Sequence, residues 1–371
     1  MTKKVVVAMS GGVDSSVAAA LLQQEGYEVV GMMMRLWSEE GRSAQNRCCT
    51  PESMGIARQV AGQLGIPFYS VDAQDVFRNT VVEYFLDGHR AGQTPNPCLA
   101  CNREIRWEYL LNQALNIGAD FMATGHYVRI TREANEPVRL FEAEDQTKDQ
   151  SYVLSVLNPT QLKHALFPLG DLTKKEVTQI AVDLGLPAAE SKESQDLCFL
   201  AGGDYRDFLR RNSPELERPG PILDGNGEQL GEHQGLVNYT IGQRKGIGVT
   251  RDVPLYVIEK RQQDNALIIG ERDELGRQVL HAGIANWVSG IAPESKFKAD
   301  VRIRYSAKKT PADIKIHGDG SFSCNFLEPL RDITAGQAAV IYRDGEVLGS
   351  AVIQSSEFVL QADKLEAEVP A

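Results

Sequence analysis

The sequence lacks any long apolar stretch. After Met1 the apolar run at residues 5–8 is too short for a signal peptide, and no later segment reaches the roughly 18 apolar residues that a membrane-spanning helix needs. Hydrophobic residues still make up 42% of the 371 positions, so the chain is able to bury a core. We therefore expect a soluble, cytoplasmic protein of two or three domains that does not enter a membrane.

Positive charge and cysteine are also in short supply. The net charge of −11 excludes a diffuse nucleic-acid-binding coat, because neutralising phosphates requires clustered Lys and Arg. A local basic patch stays compatible with this charge. Six cysteines are too few for a disulfide scaffold in a chain of this length, and in a reducing compartment cysteines are more often buried, metal-binding or catalytic. The sequence shows no internal repeat and no low-complexity segment.

The first 125 residues alternate apolar strands with amphipathic helices. This order predicts a doubly wound α/β fold with a parallel sheet. Residues 150–212 have a helical pattern, in which Thr173 and Glu176 form a capping box before a helix that ends near Gly185. The predicted strands are residues 4–9, 29–34, 68–71 and 121–124, and the predicted helices are residues 15–24, 51–64, 76–88 and 102–116.

Beyond residue 219 short β-rich segments lie between Gly, Pro and Asp turns. Residues 236–241 are one predicted strand, and Asp344-Gly345 predicts a hairpin between two further strands. We expect a nucleotide-binding α/β domain at residues 1–212, a small central β-rich domain at 213–280 and a C-terminal β-barrel-like domain at 281–371, which ends in a loose acidic tail after residue 357.

A glycine-rich loop, Ser10-Gly-Gly-Val-Asp-Ser15, lies directly between the first strand and the first helix. Its glycines let backbone amides approach an anion closely, and the following helix presents N–H groups and a positive dipole end. The loop therefore predicts a phosphate site at the carboxyl edge of the sheet, with an ordinary glycine-rich turn as the alternative. It lacks the Gly-Lys-Ser/Thr ending of a Walker loop. Asp14 is unusual beside an anion unless it serves a metal or orients the loop.

Two cysteines, Cys98 and Cys101, stand in Thr94-Pro-Asn-Pro-Cys-Leu-Ala-Cys-Asn102, just before a predicted helix. The positive end of that helix favours a thiolate, which suits redox or nucleophilic chemistry. Half of a metal site is the alternative, for which Cys48 and Cys49 add candidate ligands. Cys198 and Cys324 are, taken alone, compatible with small buried residues.

Together these motifs resemble a known family. The glycine-rich loop is similar to the signature of the PP-loop ATP pyrophosphatases, which adenylate a carbonyl or carboxylate oxygen. Four further segments resemble the tRNA-specific 2-thiouridylase family within that superfamily, and the matches run in order along nearly the whole chain. They are residues 94–102, Thr-Gly-His-Tyr at 124–127, Lys-Asp-Gln-Ser-Tyr at 148–152 and Ser-Gln-Asp-Leu-Cys-Phe at 194–199.

The resemblance implies an activity. ATP, with Mg²⁺, adenylates the C2 oxygen of a flipped wobble uridine, and sulfur from a cysteine persulfide replaces that oxygen. It implies Cys101 as the nucleophile and Cys198 as the persulfide carrier, with a disulfide between them at the end. Many members have Asp at the position of Cys98, so Cys98 is either a spectator or, with Cys101, a ligand of an iron–sulfur cluster. The implied partners are tRNAs for Lys, Glu and Gln and a sulfur donor, either a cysteine desulfurase or a relay protein, and we expect a monomer.

The resemblance also implies site residues, and for two of them an ordinary structural role is the alternative. Met34 suits core packing equally well, and His126 suits a structural hydrogen bond or acid–base catalysis. The implied nucleotide-binding residues are Ala8, Met9, Ser10, Gly11, Gly12, Val13, Asp14, Ser15, Met34 and Gly125. The implied tRNA-contacting residues are Cys98, Leu99, Ala100, His126, Lys148, Asp149, Gln150, Arg304, Tyr305 and Gln337.

A basic stretch in the last domain supports RNA contact, and Tyr305 within it offers a ring for stacking on a base. A solvated basic strand is the alternative. Three rival functions remain: an argininosuccinate-type ligase, a tRNA-binding protein without turnover, and a zinc-stabilised module. The stretch contains Lys296, Lys298, Arg302, Arg304, Lys308, Lys309 and Lys315.

Overall fold

The computed structural model describes residues 2–39, 50–190, 197–200, 203–331 and 333–357. Within these ranges the strands form a five-stranded, a four-stranded and a nine-stranded sheet. The predicted parallel α/β sheet, small β-rich middle and C-terminal barrel are confirmed. The boundaries at residues 212 and 280 stay predictions, and the predicted acidic tail lies outside the described residues. No helix in the described part of the chain is long and apolar enough to cross a membrane.

The described residues form both strands and α-helices. The strands are β1 (Lys4–Ala8), β2 (Glu28–Arg35), β3 (Phe68–Asp72), β4 (Phe121–Ala123), β5 (Val128–Thr131), β6 (Arg139–Glu142), β7 (Ala165–Leu166), β8 (Gly220–Leu223), β9 (Gln229–His233), β10 (Tyr256–Arg261), β11 (Ala266–Gly270), β12 (Arg277–Ile284), β13 (Asn286–Trp287), β14 (Lys296–Arg302), β15 (Thr310–Ile316), β16 (Ser321–Leu330), β17 (Ala338–Arg343) and β18 (Glu346–Glu357). The α-helices are α1 (Val13–Gln24), α2 (Pro51–Leu64), α3 (Gln74–Phe77), α4 (Glu83–Arg90), α5 (Pro97–Ala100), α6 (Leu111–Asn116), α7 (Ser151–Leu154), α8 (Pro159–Lys163), α9 (Lys174–Asp183) and α10 (Tyr205–Asn212).

The first sheet has the order β3-β2-β1-β4-β7, and all of its strands are parallel. Its central strand is covered on both faces, so Val5, Val6 and Val7 are fully buried. One face packs on α1, α2 and α9. The other face packs on the helix that carries Trp107, and that core continues into barrel residues such as Tyr342. The parallel sheet and the barrel therefore share one hydrophobic core.

Two long helices contain π-helical segments. One segment, Arg78–Val82, joins α3 to α4, and the other, Cys101–Leu110, joins α5 to α6. The second helix begins at Pro97, where the Asn96 side chain accepts a hydrogen bond from the Cys98 amide. The prediction that this helix starts at residue 102 is wrong, because Asn96 and Pro97 supply an N-cap and an N1 proline five residues earlier.

Of three further predictions from local sequence patterns, two are confirmed and one is wrong. The capping box of Thr173 and Glu176 is confirmed at the start of α9. The Asp344-Gly345 hairpin is confirmed too, and both residues have positive φ values of 52° and 80°. The strand predicted at residues 236–241 is wrong, since Leu236–Asn238 forms a short 3₁₀ helix whose apolar side chains pack inward.

The nine-stranded sheet combines two parts of the chain. Strands β12-β16-β15-β14-β17-β18 close into a six-stranded barrel, because β12 also pairs with β18. Sequence patterns did not predict the hairpin of β5 and β6. It belongs to the N-terminal part of the chain, but its strand β6 pairs with β18 of the barrel. Leu140 lies opposite Val347 in this pairing. The central sheet, β10-β11-β8-β9, stands by itself.

A buried set of charges joins the hairpin to the barrel. We call Glu142, Asp149, Arg302 and Lys309 the interdomain ion cluster. Arg302 donates to Asp149 at 3.0 Å and to Glu142 at 3.3 Å, and Lys309 donates to Glu142 at 2.6 Å. The side chains of Asp149 and Arg302 are only 1% and 12% exposed. Charges this deeply buried are stable only when paired, so the cluster fixes the barrel against the N-terminal part.

Replacing Arg302 tests this cluster. Arg302→Met should lower the free energy of unfolding by about 3 kcal/mol, because it leaves two buried carboxylates without their shared cation. Urea unfolding followed by circular dichroism measures the change. The matched control is Lys298→Met on the same strand: Lys298 is 82% exposed in its pair with Asp313, so the change should stay under about 0.5 kcal/mol. Equal unfolding midpoints for the two variants would contradict the role assigned to the cluster.

Candidate active site

The glycine-rich loop follows β1 and leads straight into α1. The Ser10 amide donates to the Ser15 hydroxyl at 3.2 Å, and the Ser15 hydroxyl lies 3.2 Å from the Gly12 carbonyl oxygen. Gly12 is the N-cap of α1 and gives it no side-chain cap, so the first N–H groups of the helix face the loop. This arrangement presents amide and hydroxyl donors to an anion at the sheet's carboxyl edge.

Two glycines let the loop pack closely on its surroundings. Gly11 has φ of 77°, and a β-carbon there would collide with the backbone oxygen of Ser53 in α2. A β-carbon on Gly125, which follows β4, would lie 2.7 Å from the Asp14 carbonyl carbon and the Ser15 amide nitrogen. Because Gly125 has no side chain, its backbone packs directly against the loop.

Asp14 is held by two residues that sequence reasoning did not assign to the site. Its Oδ1 atom accepts hydrogen bonds from the Tyr127 hydroxyl at 2.8 Å and from the Lys174 ammonium at 2.7 Å. Of the two roles left open for Asp14, orienting the loop is the one that these contacts support. Lys174 is the first residue of α9, 160 positions away from Asp14. In the sequence, the one sign that its backbone position is fixed is that it directly follows the N-cap residue Thr173.

The other predicted nucleotide-binding residues surround this edge of the sheet. Ala8 ends β1, and the Met9 amide donates to Met32 of β2 at 2.8 Å. Met34, near the end of β2, is partly buried and packs against the core around Trp107 and the core that holds Cys101. Val13 is buried as the first residue of α1.

The structure places Cys101 and Cys198 at the same hydrophobic cluster. Cys101 is buried in a cluster that also contains Phe199, and Cys198 packs against the same cluster from a 3₁₀ helix, Cys198–Leu200. Val237 of the central domain completes this cluster. The cluster thus joins cysteines far apart in the sequence. Ser194 to Asp196 of the Cys198 motif, and Cys48 and Cys49, lie outside the described residues.

The neighbours of Cys101 differ in exposure. Cys98 is exposed, whereas Leu99 and Ala100 are buried. The Asn102 side chain donates to the Cys98 carbonyl oxygen at 3.0 Å and so fixes the first turn of the helix. Cys98 therefore faces solvent from the start of the helix, with Cys101 one turn further inside.

The barrel contacts the cysteine segment directly. The Thr94 amide donates to the Ala335 oxygen at 2.9 Å, and the Gln337 side chain donates to the Thr94 oxygen at 2.7 Å. Burial raises the pKa of Tyr305, and the nearby acidic groups of Asp149 and Cys98 raise it further. Tyr305 is 47% exposed, so the barrel presents a partly exposed aromatic ring.

Segment 148–150 links the barrel to the nucleotide loop. Asp149 belongs to the interdomain ion cluster, and its Oδ1 atom accepts from the Ala143 and Ser151 amides. Gln150 exchanges two hydrogen bonds of 3.0 Å with the Tyr127 backbone. The Tyr127 hydroxyl in turn donates to Asp14. Lys148 is partly buried beside them.

His126 and Arg304 are mostly enclosed. His126 is 7% exposed, and its Nδ1 atom lies 2.8 Å from the Thr124 hydroxyl. Burial lowers the pKa of His126 to about 3, and the positive charge of Arg106 adds to the effect. The imidazole is therefore neutral at pH 7. Arg304 lies just beyond β14 rather than in it, and donates to the Thr334 hydroxyl.

Comparison with known proteins identifies the family. Three family models match in succession: a tRNA methyl transferase HUP domain at residues 3–202, a tRNA methyl transferase PRC-barrel domain at 206–271 and an aminomethyltransferase beta-barrel domain at 277–353. The tRNA-specific 2-thiouridylase MnmA 1 of Caldanaerobacter subterraneus subsp. tengcongensis is 43% identical over 360 residues, which is 95% of this chain and 98% of that protein. The chain belongs to the tRNA-specific 2-thiouridylase family.

A second curated relative agrees with this assignment. The 2-thiouridylase MnmA of Roseiflexus sp. (strain RS-1) is 45% identical, over 93% of this chain and 98% of that protein. A solved structure titled U34-tRNA thiolase NcsA from Methanococcus maripaludis with its [4Fe-4S] cluster is 22% identical, covers 57% of this chain and 68% of that one, and has a TM-score of 0.35. The predicted membership of the 2-thiouridylase family is confirmed, whereas the roles of single residues stay predictions.

A substitution tests whether the close packing of Gly125 holds the glycine-rich loop in place. Gly125→Ala forces a methyl group onto the Asp14–Ser15 backbone and should displace the loop, so kcat/KM for ATP should fall about 100-fold. Steady-state kinetics with varied ATP measure the effect. The control is Gly62→Ala in α2, where a β-carbon meets no atom within 4 Å and a small gain in helix stability is expected. Unchanged ATP kinetics in Gly125→Ala would show that Gly125 does not support the loop.

Two buried histidines predict sensitivity to acid. Burial lowers the pKa of His89, like that of His126, to about 3. Because both are neutral when folded and take up a proton near pH 6.5 when unfolded, stability is full above pH 6.5 and falls as the pH drops from there toward 3. Each should contribute about 1.4 kcal/mol per pH unit well below 6.5.

Urea unfolding at several values between pH 7 and pH 5 measures this slope. His89 packs against Phe85, with ring centres 4.6 Å apart, so His89→Phe preserves an aromatic ring and removes one titrating group. The variant should lose the contribution of His89, about 1.4 kcal/mol per pH unit well below pH 6.5. A slope equal to that of the wild type would mean that His89 is protonated in the folded protein.

Proposed function

We propose that this chain is a tRNA 2-thiouridylase. It adenylates the C2 oxygen of the wobble uridine with ATP and then replaces that oxygen with sulfur, which yields 2-thiouridine, AMP and pyrophosphate. The observation that carries the proposal is that Cys101 is buried in one hydrophobic cluster and Cys198 packs against the same cluster. The names of the relatives support it independently.

The loop at residues 10–15 binds the phosphates of ATP in this proposal. The amides of Gly11 and Gly12 and the hydroxyls of Ser10 and Ser15 are the donors, and the lack of a side chain at Gly11 and Gly125 keeps the cradle open. Bound Mg²⁺ would neutralise phosphate charge at this site. Asp14, which forms an ion pair with Lys174, holds the loop in its conformation. Adenylation turns a poor oxygen leaving group into AMP.

The sulfur step needs both cysteines. A donor protein passes sulfane sulfur to Cys198, which becomes a persulfide. The terminal sulfur either attacks C2 directly or leaves as hydrogensulfide when Cys101 attacks the inner sulfur. In both routes the C2–S bond forms and the C2–O bond to AMP breaks. In the direct route Cys101 then attacks the Cys198 Sγ atom and breaks its bond to the sulfur on C2, so a Cys101–Cys198 disulfide remains in either route. A thiol reductant returns the enzyme to its dithiol state.

The RNA lies, in this proposal, between the barrel and the cysteine helix. A flipped base stacks on Tyr305 near Cys98, and Arg304, Lys148 and Gln337 contact the surrounding nucleotides. Leu99 and Ala100 form part of the wall beneath the base. The buried residues act indirectly: Asp149 and Gln150 position Lys148, and His126 positions the segment around Gly125.

We further propose tRNAs for Lys, Glu and Gln as substrates, a cysteine desulfurase or relay protein as sulfur donor, a monomer, and the cytoplasm as location. These follow the predicted family pattern. An iron–sulfur cluster on Cys98 and Cys101 is the alternative chemistry. The described residues contain no group of three His, Cys, Asp or Glu side chains suited to a metal, so such a cluster would depend on Cys48 and Cys49.

Among rival activities, methyl transfer is the one that the name of the matching HUP model suggests. Methyl transfer to RNA requires neither an ATP-phosphate loop nor paired cysteines, so the cluster of Cys101 and Cys198 favours sulfur transfer. An argininosuccinate-type ligase has no use for an exposed tyrosine of the barrel. A tRNA-binding protein without turnover would keep its function after either cysteine is replaced.

Mass spectrometry of tRNA from a strain that depends on this protein tests the proposal. Cys101→Ser and Cys198→Ser should each abolish 2-thiouridine, because each removes one of the two sulfur atoms that the final disulfide requires. Both variants should still bind ATP and tRNA. Intact 2-thiouridine in either variant would sink the two-cysteine mechanism.

Cys98→Asp is the matched control for these variants. It changes an exposed cysteine on the same helix turn to the residue that many family members have, and it should retain thiolation. Assays of iron and sulfide on anaerobically purified protein should find neither in active enzyme. Loss of activity in Cys98→Asp together with bound iron would favour the cluster.

A further inference from the structure

A glycine-rich loop of the central domain carries positive charge that the proposed function has not yet used. Residues 240–251 read Thr-Ile-Gly-Gln-Arg-Lys-Gly-Ile-Gly-Val-Thr-Arg, and we call them the central loop. We propose that the central loop binds backbone phosphates of the substrate RNA, as a second contact outside the cysteine site. This inference rests on the proposed function, because that function supplies the RNA.

The cations of the central loop are exposed and available. Arg244 and Lys245 are exposed, and neither forms an ion pair with any residue that the structure describes. Arg251 has Glu228 at 3.9 Å, with both side chains largely in solvent. On a protein of net charge −11, unpaired neighbouring cations attract a polyanion where most of the surface repels it.

The backbone of the central loop is well defined. Ile247 is buried in the core of the central domain and holds the middle of the loop. The Gln243 side chain accepts from the Thr240 amide at 3.1 Å and donates to the Lys245 oxygen at 2.9 Å. The Gly242 amide donates to Val257 of β10. The loop is therefore pre-shaped rather than loose, which lowers the entropy cost of binding.

Glycines expose the loop's amides to a ligand. Gly246 and Gly248 have φ values of 76° and 86°, and no other residue between 243 and 249 has positive φ. Alternating signs of φ turn successive N–H groups toward one side, the arrangement of an anion-binding nest. Within the described structure the amides of residues 245–248 donate to no protein group. Amides and cations together match a phosphate better than they match an acidic side chain.

The chain places the central loop within reach of the cysteine site. Val237, which packs in the cluster with Cys101, lies seven residues before Arg244. Asn238 is held by Arg206 of α10 through its carbonyl oxygen. Seven extended residues span at most about 25 Å, so a base at Cys101 and a phosphate at the central loop fit on one RNA arm.

A double substitution tests the inference. Arg244→Gln with Lys245→Gln removes two cations from an exposed loop without touching the cysteine or nucleotide sites. The dissociation constant for substrate tRNA, measured by fluorescence anisotropy, should rise about 10- to 30-fold, and the slope of log K against log salt should flatten by about 1.5. ATP kinetics and kcat at saturating tRNA should match the wild type.

Two further variants separate the causes. Lys163→Gln with Lys175→Gln removes the same charge from exposed positions of α8 and α9, and tRNA affinity should stay within about twofold. Gly248→Ala leaves the charges in place but strains a position with φ of 86°, and it should weaken tRNA binding by disturbing the amides. Thermal unfolding verifies that each variant is folded.

The outcomes distinguish the two proposals. Unchanged affinity and salt slope in the Arg244/Lys245 variant would overturn the inference, and so would an equal loss in the Lys163/Lys175 control. If the wild type binds tRNA yet forms no 2-thiouridine, the proposed function fails while the binding measurements still decide the role of the central loop.

Discussion

The interdomain ion cluster is the constraint on which the arrangement of the site depends. Glu142 and Asp149 come from the N-terminal part, and Arg302 and Lys309 come from the barrel. Packing the two parts together with either set of charges missing its partners would bury charge without compensation, which is strongly unfavourable. The ring of Tyr342 lies under both cations at 5.2 and 5.4 Å. The two parts are therefore stable only in one relative position.

This position governs both halves of the chemistry. On one side Asp149 leads through Gln150 and Tyr127 to Asp14 in the nucleotide loop. On the other side the barrel residue Gln337 holds Thr94 at the start of the cysteine helix. The barrel thus supports the glycine-rich loop and the cysteine helix at once. An enzyme that must bring an activated base to a sulfur atom needs this common frame, because displacements of about 1 Å at reacting atoms are costly.

Local chemistry explains what the sequence could predict. The glycine-rich loop, the capping box of Thr173 and the Asp344-Gly345 turn depend on neighbours a few residues apart, and all three appear in the structure. The pairing of Lys174 with Asp14 and the hairpin that joins β18 depend on contacts across 160 or more positions, which patterns do not encode. The cysteine pair was named through family resemblance, since spacing alone left metal binding open.

The basic stretch of the barrel shows why charge counting misleads. Arg302 and Lys309 point into the ion cluster, whereas Lys298 is exposed in its pair with Asp313. Cations that stabilise the fold cannot also neutralise RNA, so fewer barrel cations face a ligand than the sequence suggests. With a net charge of −11, RNA affinity must then come from a few concentrated contacts elsewhere. In the proposed function the exposed ring of Tyr305 contributes stacking, which is insensitive to this charge, and the proposed contact at the central loop contributes charge where the barrel does not.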